Sequence, residues 1–400
     1  MRRIFIYCFL AALPVFSVSA QVRVTKPVGE VSTITLSRFK ADARPASGVF
    51  RQTLENDLNR SGWFTVAGAG NAEFTVIGEV QVSGSDVEAR CEVFNAVTRK
   101  RELGKSYSMP MDQARRLAHA VADEIVLAVT GKPGIASSRI VVVGNRTGKK
   151  ELYVCDADGH NLRQLTKDGS LNVSPKWTPD AGRIVYTSYR MRFPDIYMMD
   201  LRSGKIMCLA DYSGLNSSPA ISPDGRSLAL ILSQVGNPEL FLKDMRSGAL
   251  TRLTRTKNAA ESSPSWSPDG KSLVYVSDMS GAPHLYVMDR SRRESQRLTG
   301  SGRENVDPDW GKNGFIVYSS KIGGNYQICV IDPDTMHSQQ LTDSPMDHEE
   351  PAWAPDGRHI VYSRKRNYRS EIFIIDTMSN VSIPLELGEK DWHSPDWSSQ

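Results

Sequence analysis

The chain has 400 residues, with 49 Lys+Arg against 45 Asp+Glu and 40% apolar residues. That composition excludes a disordered chain, which would be poorer in apolar groups and more lopsided in charge. A formal net charge of +4 argues against a dedicated nucleic-acid binder, which would carry a basic face.

Arg2 and Arg3 precede an apolar run from Ile4 to Val18, which closes on the small residues Ser19 and Ala20. A positive start, a short apolar core and a small-residue ending describe a secretory signal peptide over residues 1–20. The run is too short for a transmembrane helix. Cys8 has no mature-like start after it, so lipoprotein cleavage there is not expected. Without residues 1–20 the balance is 47 basic against 45 acidic residues, a charge of +2. Cys91, Cys155, Cys208 and Cys329 remain, too widely spaced for a disulfide scaffold; paired and free thiols both stay open.

Residues 21–135 read as a small α+β domain. Val31–Phe39 is a strand. Pro45–Arg60 is an amphipathic helix with Val49, Phe50, Leu54 and Leu58 on one face. Strands follow over Trp63–Val66, Phe74–Val82, Val87–Val97 and Leu103–Ser108. Asp112–Thr130 is a second helix whose buried stripe is Ala114, Leu117, Ala118, Val121, Ile125 and Ala128. Gly131 and Pro133 stop it, and residues 132–138 are a linker.

Residues 139–400 are a repeat. Pro175, Pro219, Pro264, Pro308, Pro351 and Pro395 are spaced by 44, 45, 44, 43 and 44 residues. Asp156, Asp200, Asp244, Asp289, Asp332 and Asp376 keep the same period. So do Leu165, Leu209, Leu253, Leu298, Leu341 and Leu385. Each unit holds four short strands, as in Ser265–Ser267, Leu273–Ser277, Leu285–Asp289 and Gln296–Thr299, which is one propeller blade. Residues 139–166 supply only three strands, and Ser394–Ser398 supplies the missing one. The fold class is therefore mainly β: a six-bladed β-propeller closed by a three-plus-one clasp, preceded by a small α+β domain. Deleting the last six or so residues is expected to open the ring.

Trp177, Trp266, Trp310, Trp353 and Trp397 share one place in the repeat, taken by Ile221 in the third unit; packing between blades explains them better than a ligand platform. Asp180, Asp224, Asp269 and Asp356 sit in Pro-Asp-Gly settings that make them turn formers on the rim, although Asp180-Ala181-Gly182 shifts the glycine by one. Asp156–Asn161 resembles the start of a calcium loop, but the twelfth residue is Lys167, where such a loop needs Glu. A turn is the better reading.

The residues just before each repeated proline lead into the innermost strand and differ between units. Such positions are the binding candidates, because loops on one face of a repeat array carry function. They are Leu215, Asn216 and Ser218; Glu261, Ser262 and Ser263; Asn305 and Asp307; His348, Glu349 and Glu350; and His393. They should line an acidic, polar mouth of the central channel.

No Gly-x-Ser-x-Gly elbow, His-Glu-x-x-His, phosphate loop or dinucleotide fingerprint is present. No catalytic residue, metal or cofactor is expected, and no separate hydrolase domain is expected after the ring. Two other classes stay open. One is a secreted propeller binding a glycan or peptide. The other is a propeller lyase or hydrolase using His348, His393, Glu349 and Glu350.

The segments Glu151–Asn161 (ELYVCDADGHN), Ser174–Asp180 (SPKWTPD), Gly214–Gly225 (GLNSSPAISPDG) and Gly236–Phe241 (GNPELF) resemble the TolB family of the Tol–Pal system. The resemblance covers roughly residues 139–400. It implies a non-catalytic, monomeric periplasmic adaptor. A Pal-like peptidoglycan-associated lipoprotein would bind at the channel mouth. A TolA-like inner-membrane protein would bind the segment after the signal peptide, beginning Gln21, Val22, Arg23, Val24 and Thr25. The implied roles are outer-membrane integrity and envelope constriction at division, peripheral to the outer membrane through the partner, with no nucleic acid.

Overall fold

A computed structural model describes residues 31–68, 70, 72–389 and 391–399. The expected signal peptide and the segment Gln21–Thr25 lie outside the described residues.

The N-terminal domain is a five-stranded sheet in the order β2-β1-β3-β4-β5. Its strands are β1 (Ser32–Ala41), β2 (Phe64–Ala67), β3 (Phe74–Ser83), β4 (Asp86–Asn95) and β5 (Arg101–Pro110). β1 runs parallel to β2 and β3, and the remaining pairs are antiparallel. Two helices, α1 (Pro45–Arg60) and α2 (Ala114–Thr130), pack on the sheet. Pro45 opens α1, where its missing N–H costs no hydrogen bond. Gly131 ends α2 in the left-handed conformation at φ 72°. Phe50, Leu54 and Leu58 of α1 meet Leu117, Val121 and Ile125 of α2 over Ile34, Leu36 and Phe39 of β1. Val49 departs from expectation: it is exposed, on the solvent side of α1.

The propeller has six four-stranded blades. Blade 1 joins the C-terminal strand Trp392–Trp397 to Arg139–Gly144, Glu151–Asp156 and Arg163–Gln164. Trp392 pairs with Gly144 and Trp397 with Ile140, so the expected clasp is present. Blades 2 to 6 begin with the innermost strands Asn172–Trp177, Asn216–Ile221, Glu261–Trp266, Asn305–Trp310 and Asp347–Trp353. The apolar cores lie between blades. One cluster packs Ile231 and Leu240 of blade 3 against Trp266, Tyr275 and Tyr286 of blade 4.

The repeated tryptophans do this interblade work, though not equally. Trp177 Nε1 donates to the Asp396 carbonyl (3.0 Å), Trp266 to the Ala220 carbonyl (3.0 Å) and Trp397 to Ser138 Oγ (2.7 Å). Trp310 is only half-buried and bonds within its own blade, to the Gly314 carbonyl. The turn aspartates close their turns by accepting backbone N–H groups, as in Asp224 with Arg226 and Asp269 with Lys271. Asp356 is not on an open rim. It is buried and paired with His359 Nδ1 at 2.6 Å. The turn at Asp180 is not shifted: Ala181 takes the glycine place with φ 50°, where Gly225 and Gly270 have 72° and 69°. Cys91, Cys155 and Cys329 are buried free thiols, and Cys208 is free and exposed.

Candidate functional site at the channel mouth

Each innermost strand carries a β-bulge at its repeated proline. The residue before the proline is left-handed in all six blades: Ser174, Ser218, Ser263, Asp307, Glu350 and Ser394 have φ between 48° and 54°. A non-glycine residue in this region is strained, and a bulge re-aims its side chain. Here the six residues and the six prolines together line the central channel. Four serines keep the ring narrow. Asp307 and Glu350 give it two carboxylates from adjacent blades.

Glu350 is tied into the wall. It accepts the backbone N–H and the hydroxyl of Ser394, both at 2.6 Å, and the Ser363 hydroxyl at 3.0 Å. Asp307 is pushed up to about 7 by burial and then by the neighbouring charges of Glu350 and Glu349. Burial, with Glu350 and Asp347 nearby, also raises Glu349. Toward one face the channel widens into a mouth lined by Glu349, His393, Asp391, Lys150, Lys365 and Tyr368. Sequence reasoning placed Glu349, Glu350, Asp307 and His393 here but missed Lys150 and Tyr368, which lie on connections between strands, and Lys365, near the end of the strand His359–Arg366. The mouth is therefore mixed in charge, with carboxylates innermost.

Ser218 and Ser263 line the channel, and Ser262 is half-buried on the same bulge. Leu215 is half-buried, its backbone N–H held by Ser233 Oγ (2.8 Å). The remaining candidates are elsewhere. Asn216, Glu261, Asn305 and His348 are buried and form a polar seam between blades. Asn216 closes its loop on the Tyr212 backbone, with Nδ2 donating at 2.7 Å and Oδ1 accepting at 2.9 Å. Glu261 accepts the Ser277 hydroxyl at 2.9 Å. Burial, partly countered by Ser277 and reinforced by Glu239, pushes it up to about 7. Asn305 donates to His284 Nδ1 (2.9 Å). His348 bonds Ser344 Oγ at 2.8 Å and stacks on Tyr362. Burial and Arg364 press it down to about 4, so it is neutral. These positions differ between blades because a buried seam can be filled by several hydrogen-bonding sets. A pattern could have revealed it: Glu239, Thr254 and Glu261, or Gln327, Thr342 and His348, recur at 15 and then 21–22 residues.

The face around this mouth is also apolar. Five of the six hairpins that reach it expose a large side chain: Met191 and Phe193, Val235, Met279, Ile322 and Tyr368. Tyr189 and Leu171 extend the patch in blade 2. The innermost strands run away from this mouth toward the tryptophans. There, Trp177, Trp266, Trp310, Trp353 and Trp397 edge a second funnel of about 380 Å³. Between the two, Lys176 Nζ bonds Asp396 at 2.8 Å and reaches Asp309 at 3.6 Å.

The N-terminal domain docks on the tryptophan-side face, at the outer turns of blades 1 and 6. Arg358 of blade 6 bonds Asp376 through two nitrogens, each at 2.7 Å, donates to the Gly62 carbonyl (2.7 Å) and stacks on Trp63. In blade 1 the Asp156–Asn161 segment is a turn, and Asp158 meets Arg115 and His119 of α2.

A family model for the TolB beta propeller domain matches residues 126–400. The Tol-Pal system protein TolB of Desulfosudis oleivorans is 34% identical over 125 residues, 31% of this chain and 27% of that protein. The Tol-Pal system protein TolB of Legionella pneumophila is 30% identical over 183 residues, 41% of this chain and 43% of that protein. The chain thus aligns with less than half the length of these curated relatives. The crystal structure of TolB from Acinetobacter baumannii superposes with a TM-score of 0.81 at 26% identity, covering 93% of this chain and 97% of that one. The chain belongs to the TolB β-propeller family.

Proposed function

We propose that the protein is a non-catalytic periplasmic adaptor of the Tol–Pal system. It binds a Pal-like peptidoglycan-associated lipoprotein over the pre-proline mouth. It binds a TolA-like inner-membrane protein through the segment beginning Gln21–Thr25, and so supports outer-membrane integrity and envelope constriction. The observation that carries this reading is the crown of exposed Met191, Phe193, Val235, Met279, Ile322 and Tyr368 around a carboxylate-lined opening. A ring of exposed apolar side chains around a polar centre is the composition of a protein-docking face. A domain-scale partner fits it better than a sugar, because the apolar groups are spread over five blades rather than gathered in one pocket. Family membership and the names of the matched relatives support the Tol–Pal assignment. The expected signal peptide supports the periplasm, and among the described residues no helix is long and apolar enough to cross a membrane. We read the protein as non-catalytic because His348, half of the histidine pair that a lyase or hydrolase would need, is buried in the seam.

The test is calorimetric titration of the mature chain with the soluble domain of the Pal-like lipoprotein from the same organism. Saturable one-to-one binding is expected, weakened at least tenfold in Phe193→Ala/Tyr368→Ala and also in Glu349→Lys. Binding unchanged in both variants moves the site elsewhere. No binding removes the Pal reading and turns the search to glycans and peptides.

A further inference from the structure

The N-terminal domain and the propeller share one buried titratable cluster. His119 lies on α2 with its side chain 5% exposed. Its Nδ1 is 2.7 Å from Asp57 Oδ2 on α1. Its Nε2 faces Asp158 Oδ2, in the outer turn of blade 1, at 3.9 Å and has no hydrogen-bond partner among the described residues. Arg115, one helical turn earlier, donates to Asp158 and to Thr53 Oγ1 on α1. The other charged groups facing His119 are Asp156 and His160 in the same turn and Asp123 farther along α2. Asp123 is occupied by the backbone N–H groups of Ala136 and Ser137.

We propose that Asp57, His119 and Asp158 form a proton-dependent latch between the two domains, closed when the imidazole is doubly protonated and loosened when it is neutral. The argument is one of donors and charge. A neutral imidazole has a single N–H. Spent on Asp57, it leaves the Nε2 lone pair aimed at a carboxylate of the other domain, in a buried place where unmatched groups are expensive. A proton taken from solvent turns Nε2 into a donor and gives a cation held by one carboxylate from each domain. A shift of the turn by about 1 Å brings the 3.9 Å separation to charge-assisted bonding distance.

Four carboxylates outnumber the one arginine around the ring. Burial disfavours the imidazolium, but the bond and charge of Asp57, then Asp158 and Asp156, outweigh it and raise His119 above the ordinary imidazole value. Burial also raises Asp57, so the pair keeps a proton between them. Burial acts to raise Asp158 too, but the His160 backbone N–H, His119 and Arg115 together hold it low and ionised. A raised histidine contributes stability that is complete below its unfolded value and is lost as pH rises through its folded one. The latch therefore loosens toward alkaline pH.

The coupling is reciprocal: if Asp158 of the propeller favours the proton on His119, the proton favours docking by the same factor. The experiment is imidazole nitrogen NMR of the full mature chain labelled at histidine. His119 should titrate above the ordinary value, and Asp158→Asn should lower its midpoint by about half a unit or more, roughly a threefold change in proton affinity. The exposed His337 should not move. Arg115→Gln should shift His119 the opposite way, upward, and keeps the test open if Asp158→Asn does not fold. Limited proteolysis of residues 131–138, normalised to an unfolded substrate, should run several-fold faster at pH 8.5 than at pH 6.5, and His119→Gln should abolish that ratio. A His119 midpoint at or below the ordinary value, or one indifferent to both variants, overturns the latch. So does cleavage with the same pH ratio in His119→Gln.

Discussion

Lys176 of blade 2 and Asp309 of blade 5 stand three blades apart in a ring of six, and their charged groups meet across the channel at 3.6 Å. Lys176 also bonds Asp396 of blade 1 at 2.8 Å. Each aspartate in turn accepts the backbone N–H of a repeated tryptophan, Asp396 from Trp177 and Asp309 from Trp353. One cation thus ties opposite sides of the ring and separates the pre-proline mouth from the tryptophan funnel. Lys176 keeps 30% of its side chain exposed, but Asp396 is only 9% exposed, so removing the cation leaves a largely buried carboxylate uncompensated. Lys176→Met should lower the unfolding free energy by about 3 kcal/mol, read from denaturant melts. Lys176→Met/Asp309→Asn should recover part of that loss.

The ring closes at Trp397, which is buried and reaches Ser138 at the start of the propeller. Trp310 occupies the equivalent place but is half-exposed and bonds inside its own blade. Trp397→Ala should cost about 3–5 kcal/mol, as full truncation of a buried aromatic does, and Trp310→Ala clearly less. Thermal melts of the two variants check the order. Equal losses would show that the closing strand is no more critical than any other innermost strand.

The architecture was legible because a period of about 44 residues survives any single substitution. The missing strand at residue 139 and the extra one at residue 394 gave the closure. The site was half legible. Ser218, Ser263, Asp307 and Glu350 touch the proline that marks each repeat, so the marker locates them. Asn216, Glu261, Asn305 and His348 stand two residues earlier in the same strands, where regular alternation would give them the same face as the channel residues. The bulge and the left-handed residue before each proline break that alternation and leave them turned inward. Their partners, such as Glu239 for Glu261 and His284 for Asn305, lie 22 or 21 residues earlier in the preceding blade, a separation that the proline marker does not report. The crown of Phe193 and Tyr368 was missed because hairpin tips vary freely and carry no repeat signature.

Glu261 gives the seam a pH dependence. It is buried beside Glu239 and pushed up to about 7. A carboxyl raised this way contributes stability that is complete below its unfolded value of 4.5 and is lost as pH rises through 7. Between pH 5 and pH 8.5 the wild type should lose on the order of 2 kcal/mol relative to Glu261→Gln, which keeps the hydrogen bonds without the charge. Unfolding free energies of both proteins at the two pH values measure this. Parallel pH profiles would mean that Glu261 ionises without penalty.

Ala181 holds φ 50° in a turn where four other blades place glycine. Only a residue without Cβ adopts that conformation freely. Ala181→Gly should therefore stabilise the protein by about 0.5–1 kcal/mol, despite the added freedom of the unfolded chain. A lower denaturation midpoint would mean that the alanine methyl, half-buried beside Trp177 and Tyr186, contributes more packing than the turn loses in strain.

Arg358 tests whether the two domains are held at separate points. Its guanidinium is 5% exposed, bonded to Asp376 and to the Gly62 carbonyl, and stacked 4.4 Å from the Trp63 ring. Arg358→Ala leaves the buried Asp376 charge and the Gly62 carbonyl without their donor, and it uncovers Trp63. None of these groups belongs to an interblade core, so the ring should survive. The expected result is an earlier, separate unfolding transition for the N-terminal domain, with the propeller transition shifted little. Differential scanning calorimetry of the full chain resolves the two. A single transition moved down as a whole would show instead that the domain and the ring unfold as one unit, with Arg358 supporting both.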